Sequence, residues 1–295
     1  IMSIISLIIN IINYYSIGGI LIFKGDLTGY ERFDIINNLP FARGIVLSSS
    51  LICPLLISIY FNKKNRVLFL ILLILNIIFA FGLGQRHAIL MPIMMTFIFL
   101  FSLGYLNKKL IYSFFLLFPL LIIGSSLLRG DGENVAFSSY TTIFGGEYRD
   151  YLRLREDNIP FQNGKTLYPI ILNAIPKQLF GLFDLDKDDF RIYSAYILSN
   201  YWGNQTGQRA GIWGEFYLNF GDFGVFFGFL FYSLFLVYVE KKLLYKNNVQ
   251  SKFIISYIYS LFIFSILGSW ATIGDDIGSY GLIYYFIYKF GFIKV

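Results

Sequence analysis

The chain has 295 residues, of which 56% are hydrophobic, 20% aromatic and only 14% charged. Its mean hydropathy is +0.63, so the composition excludes an ordinary water-soluble domain and indicates an integral membrane protein. The formal net charge is +6. Because the cytoplasmic loops of membrane proteins are rich in Lys and Arg, this charge reports topology, and no nucleic acid partner is predicted.

Apolar runs recur along the whole chain, and most are close to the roughly 20 residues that a helix needs to cross a bilayer. Eight such runs lie near residues 2–23, 44–61, 67–84, 88–106, 110–128, 223–240, 253–269 and 281–293. We therefore predict an all-α fold, a polytopic transmembrane helix bundle of about eight spans. The chain begins at Ile1 inside an apolar run, without an initiator Met or a signal-peptide pattern, so we expect its natural N-terminus to be missing.

The distribution of Lys and Arg predicts which loops face the cytoplasm. In one orientation the inner segments hold eleven basic residues and one acidic residue. The outer segments then hold the other thirteen basic and seventeen acidic residues, so the net charge is +10 inside and −4 outside. Both termini are cytoplasmic in this orientation.

One predicted connection is far longer than the others and is therefore expected to be functional. Within it, the segment from Leu167 to Phe183 is nearly as apolar as a span but is interrupted by Pro169 and Pro176. We expect this segment to form a short helix that lies at the membrane surface or is re-entrant. The predicted parts of the chain are an N-terminal bundle of five spans at 1–128, a large extracytoplasmic loop at 129–222 and a C-terminal bundle of three spans at 223–295.

Motifs of familiar soluble enzymes are absent. The sequence has no Walker A loop, dinucleotide fingerprint, zinc-ligand spacing or nucleophile elbow, and no cofactor is predicted. His87 is the only histidine, so a metal site would depend on carboxylates alone. The aspartates of the sequence DLDKDD, from Asp184 to Asp189, have oxygen ligands that suit a divalent cation, but a solvated turn explains them better and no metal site is predicted.

Charged residues near the outer membrane surface are the candidates for a site, because an ionisable side chain there is costly without a partner or a task. Arg86 and His87 lie in a tight hairpin between two apolar helices, in the sequence FGLGQRHAILMP. Arg86 is either a functional cation at the outer mouth of the bundle or an interface anchor. Arg32 and Arg43, in the first outer loop, are weaker candidates.

The most informative stretch is RAGIWGEFYLNFGDFG, from Arg209 to Gly224, just ahead of the sixth predicted span. Its four glycines leave room for backbone or ligand to approach closely. The Arg209 guanidinium matches phosphate oxygens, and Glu215 is placed to accept a proton from a hydroxyl. The alternative is an ion pair between Arg209 and Glu215 that pins the loop to the helix. Asp275 and Asp276, between the last two spans, are explained equally well as a helix cap, a solvated turn or a site.

These residues resemble a known family. The Gly-Gln-Arg after a membrane helix, the single large outer loop and the run GEFYLNFGDFGVFFG resemble the O-antigen polymerase (Wzy) family of oligosaccharide repeat unit polymerases. That family belongs to the GT-C class of membrane glycosyltransferases. The resemblance covers most of the chain from about Gly18 onward. The chain has fewer spans than is common in the family, and missing N-terminal helices would explain the difference.

The resemblance implies an enzyme that transfers a glycan from undecaprenyl pyrophosphate to the sugar of an incoming lipid-linked repeat unit. The reaction is expected at the outer face of the bacterial cytoplasmic (inner) membrane, and the product is a surface polysaccharide such as the O-antigen of lipopolysaccharide, a capsule or an exopolysaccharide. The expected partners are the lipid-linked oligosaccharide, the bilayer, a chain-length regulator and a flippase. The expected catalytic residues are Glu215 and Arg209, and the expected pyrophosphate-binding residues are Arg86, Arg209, His87 and Arg32.

Three alternatives stay open. A purely structural membrane subunit is disfavoured by an outer loop rich in Arg, Glu and Gly at membrane level. O-antigen ligases use the same kind of donor but typically rely on a His in the large outer loop, and residues 129–222 contain none. A transporter or flippase for lipid-linked sugars would also place arginines at a membrane cavity. Transporters keep ionisable groups near the midplane, however, whereas the centres of the predicted helices are nearly free of charge.

Overall fold

The structure is a computed structural model that describes residues 2–20, 35, 39–41, 43–82, 87–116, 150–175, 194–202, 211–244, 248–266, 273–274 and 276–290. Within these residues the chain is helical and contains no strand, so the predicted all-α fold is confirmed. The chain divides into two compact units, each described by itself. Unit 1 comprises Ile1–Phe137, Asn247–Ser260 and Ile283–Val295, and unit 2 comprises Ser138–Lys246 and Leu261–Leu282.

A described helix occupies at least part of each of the eight predicted apolar runs, and further helices lie in the predicted loop. The first part of the chain contains α1 (Met2–Ser16), α2 (Arg43–Phe61), α3 (Arg66–Phe81), α4 (His87–Ser102) and α5, described over residues 108–116. The middle part contains α6 (150–156), a 3-10 turn (Lys165–Leu167), α7 (Pro169–Ala174), α8 (Ser194–Trp202) and α9 (Gly211–Leu244). The last part contains α10 (Val249–Ile266), a π-helical turn (Ile277–Gly281) and α11 (Leu282–Phe290).

Glycines end two helices earlier than the hydropathy pattern predicts. Helix α1 ends at Ser16, although the apolar run continues to about residue 23, because Gly18 and Gly19 adopt φ values of +75° and +125°. Helix α4 ends at Ser102, followed by Gly104 with a φ of +75°. The predicted ends near 23 and 106 were therefore too late, because hydropathy does not report backbone conformation.

The predicted helix from Leu167 to Phe183 is described only over its first part. Helix α7 starts at Pro169, where the missing N–H of proline costs no hydrogen bond, and it spans only six residues. Ile175 is extended, as expected for a residue that precedes a proline. The break before Pro176 is therefore confirmed, while residues 176–183 lie outside the described part of the chain.

Helix α1 buries its polar side chains and exposes its apolar ones. The buried polar residues recur at intervals of three or four and so form one helical face: Ser3, Ser6, Asn10 and Asn13. The exposed apolar residues cover the opposite side: Ile4, Ile5, Ile8, Ile11 and Ile12. This arrangement is the reverse of the one that water selects.

Hydrogen bonds join this polar face of α1 to its neighbours in unit 1. Asn10 Nδ2 donates to Ser48 Oγ and to the carbonyl oxygen of Gly44 in α2, both at 2.8 Å. Asn76 Nδ2 of α3 donates to Ser3 Oγ at 2.7 Å. Gly44 and Ser48 are two small residues four apart, and a Cβ at position 44 would clash with α1. Close approach at small residues with hydrogen bonds across the interface is typical of helices that associate in an apolar solvent.

Among the described elements, only the stretch Gly211–Lys242 of α9 is long and apolar enough, by length and composition, to cross a membrane. Only 11% of its most apolar stretch is buried. Five shorter described helices are also apolar, at Met2–Ser16, Val46–Phe61, Arg66–Phe81, His87–Ser102 and Val249–Ser265.

We predict that Asn10→Ala lowers the free energy of unfolding in detergent by about 0.6 to 1.7 kcal/mol, which are the average and the maximum for side-chain hydrogen bonds between membrane helices. Ile11→Ala, at the next residue on the exposed side, is the matched control and should change it by less than about 0.5 kcal/mol. Equilibrium denaturation in detergent measures both values. A larger loss for Ile11→Ala would show that this face of α1 is not in contact with lipid.

Candidate functional site

Helix α9 is interrupted in the middle of the sequence GEFYLNFGDFG. Phe220 (φ −142°, ψ 17°) and Gly221 (φ 65°, ψ −153°) leave the helical conformation, so residues 211–219 and 222–244 are separate helical segments. The φ of Gly221 lies in the left-handed region, which glycine adopts readily. A Cβ at this position would also lie 3.0 Å from the ring of Phe161. Glycine is therefore required at the break.

The two segments of α9 pack against each other as an antiparallel hairpin. The rings of Trp213 and Phe229 have their centroids 4.0 Å apart, and those of Phe216 and Phe229 are 5.9 Å apart. In a continuous helix, sixteen residues would separate Trp213 from Phe229 by about 24 Å. A Cβ at Gly224 would clash with the backbone of Phe216. The close backbone approach expected of these glycines is therefore present at Gly224.

Glu215 lies in the first segment of the hairpin, and its residue is only 2% exposed. The sequence placed Glu215 in a loop ahead of the sixth span. The break at Phe220 and Gly221 lies close to the predicted start of that span near residue 223. Residues 211–219 form a short helical segment that packs against residues 222–244, and the predictions of a span and of an extracytoplasmic loop stay predictions. Glu215 is thus beside the residues that follow Gly221, within the hairpin.

A buried polar network holds the segment that carries Glu215. Asn219 Nδ2 donates to the Thr166 hydroxyl (2.7 Å) and to the carbonyl oxygen of Glu215 (2.8 Å), and its Oδ1 accepts the backbone N–H of Gly164 (2.8 Å). All these polar groups of Asn219 are paired, which buried polar groups require. Each bond contributes about 1 kcal/mol. The network ties the turn before α7 to the hairpin, so that the backbone at Glu215 is held in place.

An ion pair joins α6 to the start of the second segment. Arg155 Nη2 lies 3.3 Å from Asp222 Oδ1, and its guanidinium carbon lies 5.7 Å from the centroid of the Tyr217 ring and 5.9 Å from that of Tyr151. Burial raises the pKa of Tyr151, while the charge of Arg155 lowers it and that of Asp222 raises it. The net shift is upward, so the Tyr151 hydroxyl stays neutral at ordinary pH. Because Arg155 and Asp222 are exposed, their ion pair adds little to stability.

A second arginine of α6 meets the end of α8. The Arg153 guanidinium carbon lies 4.5 Å from the centroid of the Trp202 ring, and Arg153 Nε lies 3.3 Å from Asp157 Oδ2. The Trp202 indole N–H donates to the same carboxylate oxygen at 2.6 Å. We call these three residues the Arg–Asp–Trp triad. Sequence reasoning missed the triad, because the i to i+4 spacing of Arg153 and Asp157 is visible in the sequence but the proximity of Trp202 is not.

Two of the predicted site residues are described, and they belong to different units. Glu215 lies in unit 2, and His87 is the first residue of α4 in unit 1, where it is partly buried. The predicted site residues that lie outside the described part of the chain are Arg86, Arg209 and Arg32. The roles assigned to all five stay predictions.

The acidic candidates are only partly described. Asp276 is 7% exposed, which excludes the solvated turn from the alternatives left open for this residue. Asp275 and the aspartates of DLDKDD lie outside the described residues. The described part of the chain contains no group of three or more His, Cys, Asp or Glu residues that could hold a metal ion. Comparison of the chain with protein-family models, curated proteins and solved structures finds no match.

We predict that the double variant Trp213→Cys/Phe229→Cys forms a cross-link within one chain when treated with a short bifunctional thiol reagent, because the hairpin brings the two positions together. Cys53 is replaced by Ala so that only the introduced thiols react. The matched control is Trp213→Cys/Val237→Cys, whose second site lies about 12 Å farther along the helix. Mass spectrometry after proteolysis detects the bridged peptides. Equal yields from the two pairs would contradict the hairpin.

Proposed function

We propose that this protein is a membrane-embedded polymerase that joins oligosaccharide repeat units linked to undecaprenyl pyrophosphate into a surface polysaccharide. The observation that carries the proposal is the burial of the Glu215 carboxylate in a helical hairpin, beside an apolar helix. Placing a carboxylate in such surroundings costs free energy. Buried titratable groups of this kind are concentrated at functional sites.

The exposed surfaces support a position in the bilayer of a bacterial cytoplasmic membrane. In unit 1, helix α1 directs its polar side chains to α2 and α3 and its isoleucines outward, as lipid selects. Residues 222–244 form a helical segment about 34 Å long, enough for a hydrocarbon core of about 30 Å. A charged side chain lies near each end: Asp222 pairs with Arg155, and Lys242 Nζ donates to the Tyr238 hydroxyl at 3.2 Å. In the proposal this segment is one of about eight spans.

The proposed reaction is a glycosyl transfer without a metal or cofactor. The hydroxyl oxygen of the acceptor sugar bonds to the anomeric carbon of the donor glycan, and the bond between that carbon and the pyrophosphate oxygen breaks. Undecaprenyl pyrophosphate leaves with the electron pair, and Glu215 takes the proton of the hydroxyl. In the proposal Arg86 and Arg209 bind the pyrophosphate and stabilise its developing charge, with His87 and Arg32 as further ligands. Glu215 has the alternative role of positioning Arg209.

The hairpin supplies the rigidity that such a reaction needs. A general base acts efficiently only when it is held within reach of the reacting hydroxyl. The buried contacts of Asn219 hold the backbone at Glu215, and Gly221 sets the direction of its helical segment. The proposal therefore assigns these two residues to positioning rather than to chemistry.

We predict that Glu215→Gln lowers polymer formation by about 100-fold or more, the range for loss of a general base. Lipid-linked single repeat units should then accumulate at the outer leaflet. Polysaccharide gels of cells that lack their own polymerase measure the chain length. The matched control is Glu156→Gln, an exposed glutamate on α6 of the same unit, which should behave like the wild type. Long chains made by Glu215→Gln would contradict the catalytic role, and single units trapped at the inner leaflet would indicate a flippase instead.

We predict that both Arg209→Ala and Arg209→Lys stop polymer growth at single repeat units, because a lysine ammonium cannot replace the two-pronged contact of a guanidinium with pyrophosphate. The control is Arg66→Ala, on the predicted cytoplasmic side, which should leave chain length unchanged. Gels of surface polysaccharide, together with blots for membrane insertion, measure the result. Normal chains made by Arg209→Lys would show that Arg209 is only a charged anchor.

A further inference from the structure

The Arg–Asp–Trp triad has the features of a preformed site. Asp157 Oδ2 accepts both the Trp202 indole N–H and an ion-pair contact from Arg153 Nε, so all three side chains are fixed relative to one another. The side chains of Arg153 and Asp157 are nevertheless 47% and 41% exposed. The structure thus holds donors and an acceptor in one geometry at a surface that a ligand can reach.

The triad packs on a buried apolar cluster of unit 2. Trp202 contributes to this cluster, whose buried members are Leu154, Ile159, Leu198 and Leu218. These residues come from α6, its following turn, α8 and α9. Leu218 belongs to the same helical segment as Glu215, three residues or about 4.5 Å farther along the axis. A ligand on the triad therefore lies on the same packed core that carries Glu215.

The charge balance of the triad determines which ligands fit. The positive charge of Arg153 faces the Asp157 carboxylate at 3.3 Å, so an anion would have to displace that carboxylate or be repelled by it. A neutral polyol meets neither obstacle. A sugar hydroxyl both donates and accepts, so neighbouring hydroxyls on a ring can accept from the guanidinium and donate to the carboxylate.

We propose that the Arg–Asp–Trp triad is a binding subsite for a neutral sugar ring, through a pair of adjacent hydroxyls. This inference rests on the proposed function, because it takes the substrate to be a glycan, and it adds that the repeat unit presents an uncharged sugar at this position. Arg153 supplies the donors and Asp157 the acceptor, while the Trp202 ring supports the guanidinium. The subsite holds the glycan and takes no part in breaking bonds.

Tryptophan fluorescence tests the subsite directly. The chain has three tryptophans, so Trp213→Phe and Trp270→Phe leave Trp202 as the only reporter. The full chain, purified in detergent, is titrated with neutral hexasaccharides of glucose, galactose, mannose and N-acetylglucosamine, and separately with oligogalacturonate and sodium pyrophosphate. We expect a saturable change of Trp202 emission with at least one neutral hexasaccharide. No change with any of them, or tighter binding of either anion, would overturn the proposal.

Two alanine variants, one at each arginine of α6, test whether Arg153 contacts the sugar. Arg153→Ala should weaken binding of the neutral hexasaccharide about tenfold or more, as expected for the loss of a hydrogen bond from a charged group. Arg155→Ala is the matched control, since Arg155 lies two residues away with nearly the same exposure and also faces a carboxylate. It should bind within about twofold of the wild type. Equal affinities of the two variants would overturn the proposal.

A more conservative substitution separates loss of binding from misfolding. Asp157→Asn keeps an oxygen that can accept the Trp202 indole N–H but removes the charge, and it should also weaken binding about tenfold. Gel filtration and thermal unfolding establish that each variant is folded. If Asp157→Asn is folded and binds like the wild type, the carboxylate is not a ligand and the proposal fails.

The subsite and the proposed polymerase can fail separately. Glu215→Gln should bind the hexasaccharide normally while polymer formation is lost. If Glu215→Gln still makes polymer but Arg153→Ala loses sugar binding, the subsite stands and the catalytic role of Glu215 is wrong. If Glu215→Gln makes no polymer and Arg153→Ala binds sugar normally, only the subsite is wrong.

Discussion

Gly221 adopts a φ of +65°, which residues with a side chain rarely adopt, and this conformation lets α9 reverse its direction. The contacts of the candidate site in unit 2 depend on the reversal. It brings Trp213 and Phe216 against Phe229, and the short segment that results buries Glu215. A continuous helix would carry Glu215 away from residues 222–244 and break these contacts. The network of Asn219 then holds the reversed segment against the turn before α7.

Unit 1 obeys a different constraint, which is the need to pair polar groups that face away from water. In α1 the polar residues point inward and bond to α2 and α3, while isoleucines cover the outer side. In water those isoleucines would form an exposed apolar surface, which would not stabilise the folded chain. In lipid the exposed isoleucines cost nothing, and packing and hydrogen bonds between helices provide the stability. The proposed position in a bilayer would account both for the composition of the chain and for the direction in which each side of α1 faces.

The accuracy of the sequence-based prediction differs from element to element for physical reasons. Long apolar runs predicted the helices well, because backbone polar groups among apolar side chains have to be paired within the protein, and a helix pairs them within one segment. The ends of α1 and α4 were predicted too late, because Gly18 and Gly104 stop the helices while the apolar residues continue. Glu215 was recognised as a candidate from its position before a predicted span, but its location beside residues 222–244 was missed. A glycine in an apolar run is compatible with a straight helix as well as with a reversal of the chain. Which of the two forms depends on the packing of Phe161, Phe216 and Phe229, and the sequence does not show that these residues are in contact.

The amino-acid sequence was sufficient to establish the helical class, the approximate helix positions and the identity of Glu215 as a candidate, because hydropathy and charge are local properties. The folded structure was needed for the hairpin at Gly221, the paired state of Asn219 and the Arg–Asp–Trp triad. Each of these joins residues that are distant in the chain: 53 positions separate Asn219 from Thr166, and 45 separate Trp202 from Asp157. Contacts of this kind depend on how helices pack, and packing is decided by side-chain shape across the whole unit rather than by any short pattern.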